Sequence, residues 1–182
     1  MIHSLIKFTT AFSLLALAGI TDLPPTTSQA HAASTGKSGL PLPRFVSLKS
    51  KRVNMRVGPG KQYQVEWLYQ REGLPLEIIQ EYDNWRKVRD AEGQEGWILH
   101  SLLSGTRTAL VAPWKADQDV ETIELYSRAG ERSSVIALME PGVVTNVKSC
   151  DNALCKVSVG SVEGFVSKDM LWGVYPNEQI ED

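Results

Sequence analysis

One series of landmarks occurs twice in this chain, and that repeat limits what it can fold into. Leu125-Tyr-Ser-Arg-Ala-Gly130 echoes Met55-Arg-Val-Gly-Pro-Gly60, and Val135-Ile-Ala-Leu138 echoes Val65-Glu-Trp-Leu68. Gly142 echoes Gly73, and Val143–Val147 echoes Leu76–Gln80. Cys155-Lys-Val157 echoes Arg86-Lys-Val88, and Gly164-Phe-Val166 echoes Gly96-Trp-Ile98. Met170-Leu-Trp-Gly173 echoes Leu102-Leu-Ser-Gly105. The offset stays at about 70 residues throughout, which is the signature of an internal duplication. Two tandem units this small each bury barely enough surface to stand alone, so contact between them is expected.

Within each unit the local chemistry reads as β. Short runs rich in Val, Ile, Trp and Leu alternate with Gly, Pro, Asn and Asp, and no long helical period appears. Strands are expected at Arg44–Lys49, Gln64–Tyr69, Leu76–Tyr82, Trp85–Arg89 and Glu95–Leu99, with turns at Gly73, Asp83-Asn84 and Ala91–Gln94. Single hairpins cannot bury a core, so this density of strands implies a small barrel. Thr108–Val111 is also strand-like and either completes the first barrel or opens the second. The fold expected is all-β, two tandem barrels over residues 44–111 and 112–175.

The flanking segments read differently. Residues 1–32 hold one early Lys7, then the apolar run Ala11–Ile20, then a polar stretch ending in Ala30-His31-Ala32. The run is shorter than the roughly 20 residues a membrane span needs. The small-x-small ending fits a cleaved secretory signal peptide; the alternatives are an uncleaved anchor or an unstructured tail. Residues 33–43 are rich in Gly, Ser and Pro and read as a flexible linker. Residues 176–182 read as a frayed acidic tail. Export would place the protein in the periplasm or outside the cell, with no stable membrane insertion once the leader is removed.

The only cysteines, Cys150 and Cys155, flank a turn-like Asp151-Asn152-Ala153-Leu154 between two strand-like runs. Facing positions of an antiparallel hairpin lie about 4.5–5.5 Å apart, within disulfide reach. A Cys150–Cys155 bridge is therefore expected in an exported chain. The alternatives are two free thiols or an intermolecular bond. The spacing is not Cys-x-x-Cys, and no His or Cys neighbours complete a metal site.

Charge and motifs narrow the function. The formal net charge of -2 carries no polyanion-binding signal. The short basic run Lys49, Lys51, Arg52 reads as a solvated strand edge rather than a nucleic-acid patch. Past the leader the only histidine is His100, with no nucleophile signature around it. No phosphate loop occurs, and Glu92 and Glu95 sit in a polar turn rather than across a cleft. These readings point away from enzyme chemistry and call for no cofactor or metal.

Val53-Asn-Met-Arg-Val-Gly-Pro-Gly60 resembles the opening of bacterial SH3 domains, where an Asn-x-Arg-x-Gly-Pro-Gly pattern starts the long RT-type loop. Trp85–Val88 followed by Gly96–Ile98 resembles the family's later strands, and Gly96–Val111 resembles the end of the subgroup found in exported proteins of Gram-negative bacteria. The second copy lacks the Arg-x-Gly-Pro-Gly core and has Leu154 where Trp85 would align. The resemblance implies SH3-like barrels and a binding role in the cell envelope, with peptidoglycan or an envelope protein as partner. The alternatives are an assembly module, in which the barrels pack on each other or on a partner, and a cell-wall hydrolase.

Six residues of the first copy are candidate ligand contacts: Arg56, Tyr63, Trp67, Tyr82, Trp85 and Trp97. Trp85 and Trp97 serve either the core or a groove wall, since each pairs a large apolar ring with an N–H that needs a partner. Arg56 either pairs with a carboxylate such as Asp83 or faces a ligand. Gly58 and Gly60 are expected to supply positive φ in the loop, and Gly96 a close backbone approach.

Overall fold

The structure is a computed structural model that describes residues 34–116, 122–130 and 133–181. The leader reading over residues 1–32 lies outside them. A small hairpin comes first, β1 (Ser34–Thr35) paired with β2 (Pro41–Leu42). The first barrel follows with β3 (Arg44–Leu48), β4 (Val53–Arg56), β5 (Val65–Tyr69), β6 (Pro75–Tyr82), β7 (Trp85–Arg89), β8 (Glu95–Leu99) and β9 (Leu103–Ser104). The second holds β10 (Thr108–Val111), β11 (Ile123–Tyr126), β12 (Val135–Met139), β13 (Val144–Cys150), β14 (Leu154–Val159), β15 (Val162–Ser167) and β16 (Leu171–Trp172). The strand order is β5-β4-β8-β7-β6-β3-β9 in one sheet and β12-β11-β15-β14-β13-β10-β16 in the other. Each strand of the second sheet is the first-sheet strand seven places earlier, so the duplication extends to topology.

This order moves one boundary. Thr108–Val111 pairs with β13 and β16, so it opens the second barrel instead of closing the first. The boundary therefore falls before residue 108, because each barrel needs its own strand between its longest strand and its closing one.

Alternation explains which side chains form each core. In β4, Val53 and Met55 are buried while Asn54 and Arg56 face outward. The first core gathers Leu48, Val53, Met55, Leu76, Ile78, Val88 and Ile98, and the second gathers Val111, Leu125, Val157, Val166 and the two cysteines. Gly96 is required where expected: a Cβ there would lie 2.5 Å from Met55 Cγ. Gly164 repeats the device, with a Cβ falling 2.6 Å from the Tyr126 carbonyl oxygen. Cys150 and Cys155 face each other across the β13–β14 hairpin with Cα atoms 4.1 Å apart, and they form the disulfide.

Both flanking segments are more ordered than their composition suggests. The Gly/Ser/Pro stretch is a docked hairpin, because Ser38 donates from its N–H and its hydroxyl to Glu81, each at 2.8 Å. The acidic tail is tied down too. Arg107 donates to both oxygens of Glu178, Lys168 donates to the Glu178 carbonyl, and Ile180 exchanges backbone bonds with Cys150.

The barrels touch through aromatic rings. Phe45 of β3 packs edge-on against Trp172, with ring centroids 5.2 Å apart, and at a tilt against Tyr175, with centroids 4.7 Å apart. The Tyr175 hydroxyl donates to Glu77 of the first barrel at 2.9 Å, and Arg71 donates to the Gly142 carbonyl of the second at 3.2 Å.

Candidate functional site

The outer face of β5, β4, β8 and β7 carries the densest set of predicted contacts. Period-2 alternation places Leu68, Asn54, Arg56, Trp97, Lys87, Leu99 and Trp85 on that face, with Arg56 opposite Trp97, Lys87 opposite Trp97, and Trp85 opposite Leu99. A groove of about 320 Å³ opens there. Leu68, Trp85, Leu99 and Leu102 supply its apolar walls, and Arg52, Asn54, Arg56 and Lys61 its polar side.

The electrostatics of this face are uneven. Toward the far end of β7, the charges satisfy one another. Lys87 lies 2.7 Å from Glu95, and Arg89 lies 2.8 Å from Glu95 and 3.2 Å from Glu77. The Glu95 carboxyl is held below its ordinary pKa by hydrogen bonds from Lys87 and Arg89. At the groove, none of Arg52, Arg56 or Lys61 forms an ion pair among the described residues. Three cations around an apolar floor make a local positive potential on a chain that is acidic overall.

Arg56 does not pair with Asp83. Its Nη1 donates to the Tyr63 carbonyl at 2.6 Å, which fixes the guanidinium at the base of the long loop. Asp83 lies in the β6–β7 turn, 4.0 Å from Lys37. Neither Gly58 nor Gly60 has positive φ. Gly58 is needed for space instead, since a Cβ would lie 2.5 Å from the Tyr63 ring.

The other candidates separate. Trp85 and Trp97 are half-buried on the outer face, outside the core cluster. Trp85 lines the groove, and Trp97 stands beside Arg56. Tyr63 is 42% exposed and acts through its carbonyl and its ring. Trp67, 46% exposed, faces a different hollow of about 260 Å³ between the barrels, with Leu74, Pro75 and Asp90 of the first barrel and Leu110 of the second. Tyr82 is 49% exposed, opposite Trp85 across the hairpin, with Lys37 above its ring at 5.6 Å. The structure thus brings Arg56 and Trp85 together in one groove and leaves Trp67 and Tyr82 outside it. Arg52, Lys61, Leu68 and Leu99 are groove residues that the sequence reading passed over. Arg52 belonged to the basic run that reads, by sequence, as a solvated strand edge.

Among the described residues, the second barrel carries different side chains at two of the matching positions. Tyr126 holds the register position of Arg56, opposite Phe165 where the first copy has Trp97. Tyr126 donates to Glu124, and Leu154 stands in place of Trp85. His100 is exposed at the start of the short 100–102 turn, its N–H donating to the Asn84 carbonyl. Among the described residues no helix is long and apolar enough to cross a membrane.

Comparison with known proteins agrees with this geometry. The profile of the bacterial SH3 domain matches residues 49–105 and again residues 119–173, together more than half of the chain. The chain belongs to the bacterial SH3 domain family and carries two tandem copies. It is 24% identical over 128 residues to "Putative N-acetylmuramoyl-L-alanine amidase YrvJ" of Bacillus subtilis (strain 168). That match takes in 68% of this chain but 24% of the relative, so the chain spans about a quarter of its length. Two solved structures, NlpC2 and NlpC1 from Trichomonas vaginalis, are each 12% identical with a TM-score of 0.32. They cover 71% and 76% of this chain, respectively, and 48% of each solved chain.

Proposed function

We propose that this chain is a non-enzymatic binding module of the bacterial envelope, periplasmic or secreted. Its ligand site is the cationic groove of the first barrel. The observation that carries the reading is the set Arg52, Arg56 and Lys61, which form no ion pair among the described residues, over the Leu68–Trp85–Leu99 floor. Such a surface suits an extended ligand with carboxylates and short apolar segments, which describes the stem peptides of peptidoglycan. The match to an amidase named for cell-wall chemistry supports the same setting.

The test is co-sedimentation of the full-length protein with purified peptidoglycan. The wild type is expected in the pellet, in an amount that falls as salt rises, because exposed charges are screened. Trp85→Ala removes the largest apolar wall and should weaken retention by at least about tenfold, in the range of an interface anchor. Arg52→Glu should weaken it too, with a flatter salt dependence. Trp67→Ala should leave retention unchanged. Failure of the wild type to sediment would reject peptidoglycan as the ligand, and crosslinking in the envelope would then show whether an acidic protein segment takes its place.

A further inference from the structure

The face on which the barrels meet changes character along β3. Alternation turns Val46 and Leu48 into the first core and sets Phe45 and Ser47 on the opposite side. Phe45 closes one end of the contact against Trp172 and Tyr175. Past Phe45 the lining turns polar, and a cleft of about 350 Å³ opens between the barrels. Its second wall comes from β10 and β13. Ala109 and Val111 belong to the second core, so Thr108 takes the outward face together with Asn146, its register partner. Ser47 and Thr108 lie deepest, 2% and 4% exposed, while Lys49, Glu72, Thr106 and Asn146 are exposed at the rim. The deep hydroxyls are unanswered. Thr108 Oγ1 is buried without a hydrogen-bond partner, and the Ser47 hydroxyl has none among the described residues. Thr145, also buried, by contrast donates to the Ala109 carbonyl at 3.4 Å. A buried polar group left unpaired is costly, so a native fold that keeps one ordinarily has a partner for it. One water accounts for about 30 Å³, far less than this cleft holds.

We propose that the cleft binds one ring of a neutral saccharide. Three features select that chemistry. The floor hydroxyls can donate and accept, as sugar hydroxyls do. The rim carries one cation, Lys49, and one anion, Glu72, and neither forms an ion pair among the described residues. A rim balanced in this way favours neither sign of ligand charge. Asn146 adds an amide, whose oxygen accepts and whose nitrogen donates. Ser104 and Thr106 hold the wall between them by a hydroxyl bond of 3.0 Å. The cleft draws its walls from both barrels and shares no lining residue with the groove of the first. It is therefore a second site, present only where the two copies are joined.

Titration of the full-length protein with glucose and with N-acetylglucosamine, to roughly 50 mM and followed by amide NMR, covers millimolar affinities. Saturable shifts are expected at Ser47, Thr108 and Asn146. Thr108→Val keeps the branched shape and removes the hydroxyl. It should weaken binding by at least about tenfold, the effect of losing one bond to a buried group. The same change should leave the melting temperature of the sugar-free protein unchanged or raised, because it deletes an unpaired polar atom. Asn146→Ala, at an exposed side chain, should weaken binding without disturbing the fold. A preference for N-acetylglucosamine assigns the cleft to amino-sugar glycans, and equal binding assigns it to free neutral sugars; either result supports the proposal. A wild type that shows no shifts leaves the cleft to water and overturns it, as does binding that neither variant weakens. Binding of acetate or methylammonium in place of the sugars also overturns it. The readout uses free sugars and no peptidoglycan, so this site and the groove fail separately.

Discussion

Glu81 shows how one side chain can order a whole segment. Only 2% of its side chain is exposed, yet it is charged, with Arg44 at 2.7 Å and Arg86 at 3.3 Å. Burial by itself raises the pKa of such a carboxyl. Here the Ser38 N–H, the Arg44 guanidinium, the Ser38 hydroxyl and the Arg86 charge outweigh it and hold the group at about 2, below its ordinary 4.5. The folded pKa lies below the unfolded one, so its stabilisation is complete above about 4.5 and is lost as pH falls toward 2. Thermal unfolding followed across that window should show a drop of on the order of 2 kcal/mol that Glu81→Gln removes. The variant should also be less stable at neutral pH, since two half-buried arginines would lose their counter-charge. An identical acid profile for both proteins would contradict this account. No pattern in the sequence marks Glu81, because Ser38, Arg44 and Arg86 reach it from three separate segments. Arg56 was legible only as a candidate contact, and its partner, the Tyr63 carbonyl, was not legible at all.

Hairpins were the most legible elements. The Trp85–Arg89 and Glu95–Leu99 strands have the expected bounds, and the turn between β6 and β7 falls at Asp83, whose φ of 46° suits an Asp. The Cys150–Cys155 bridge was legible for the same reason: two strands and a short turn force those Cα atoms together. Replacing both cysteines with serine should cost about 2 kcal/mol by the chain-entropy argument for so short a loop. Denaturant unfolding of oxidised and double-serine protein measures it, and equal midpoints would show that the hairpin holds without the bond. The linker and the tail were misjudged as elements. Their composition is that of a disordered chain, and their order comes from Glu81 and from the Arg107–Glu178 pair, both long-range contacts.

At the scale of the whole molecule the two barrels behave as a joined pair, and Phe45 is the joint. It belongs to β3 of the first barrel, is 8% exposed, and packs on Trp172 and Tyr175 of the second. Phe45→Ala should cost about 3 kcal/mol and should split one calorimetric unfolding transition into two, as each barrel loses its neighbour. A single undivided transition would place the coupling elsewhere, in the Tyr175–Glu77 and Arg71–Gly142 bonds. The duplication, the strand positions, the turns and the disulfide were determined by the sequence itself, because alternation and turn chemistry act over a few residues and leave a local trace. Tertiary structure alone decided that Thr108–Val111 joins the second barrel and that Trp67 parts from Trp85. It also decided that Arg52 and Lys61 meet Arg56 at one groove. Those outcomes depend on which strands become neighbours and which face each presents, and residues far apart in the chain leave no periodic signal of meeting.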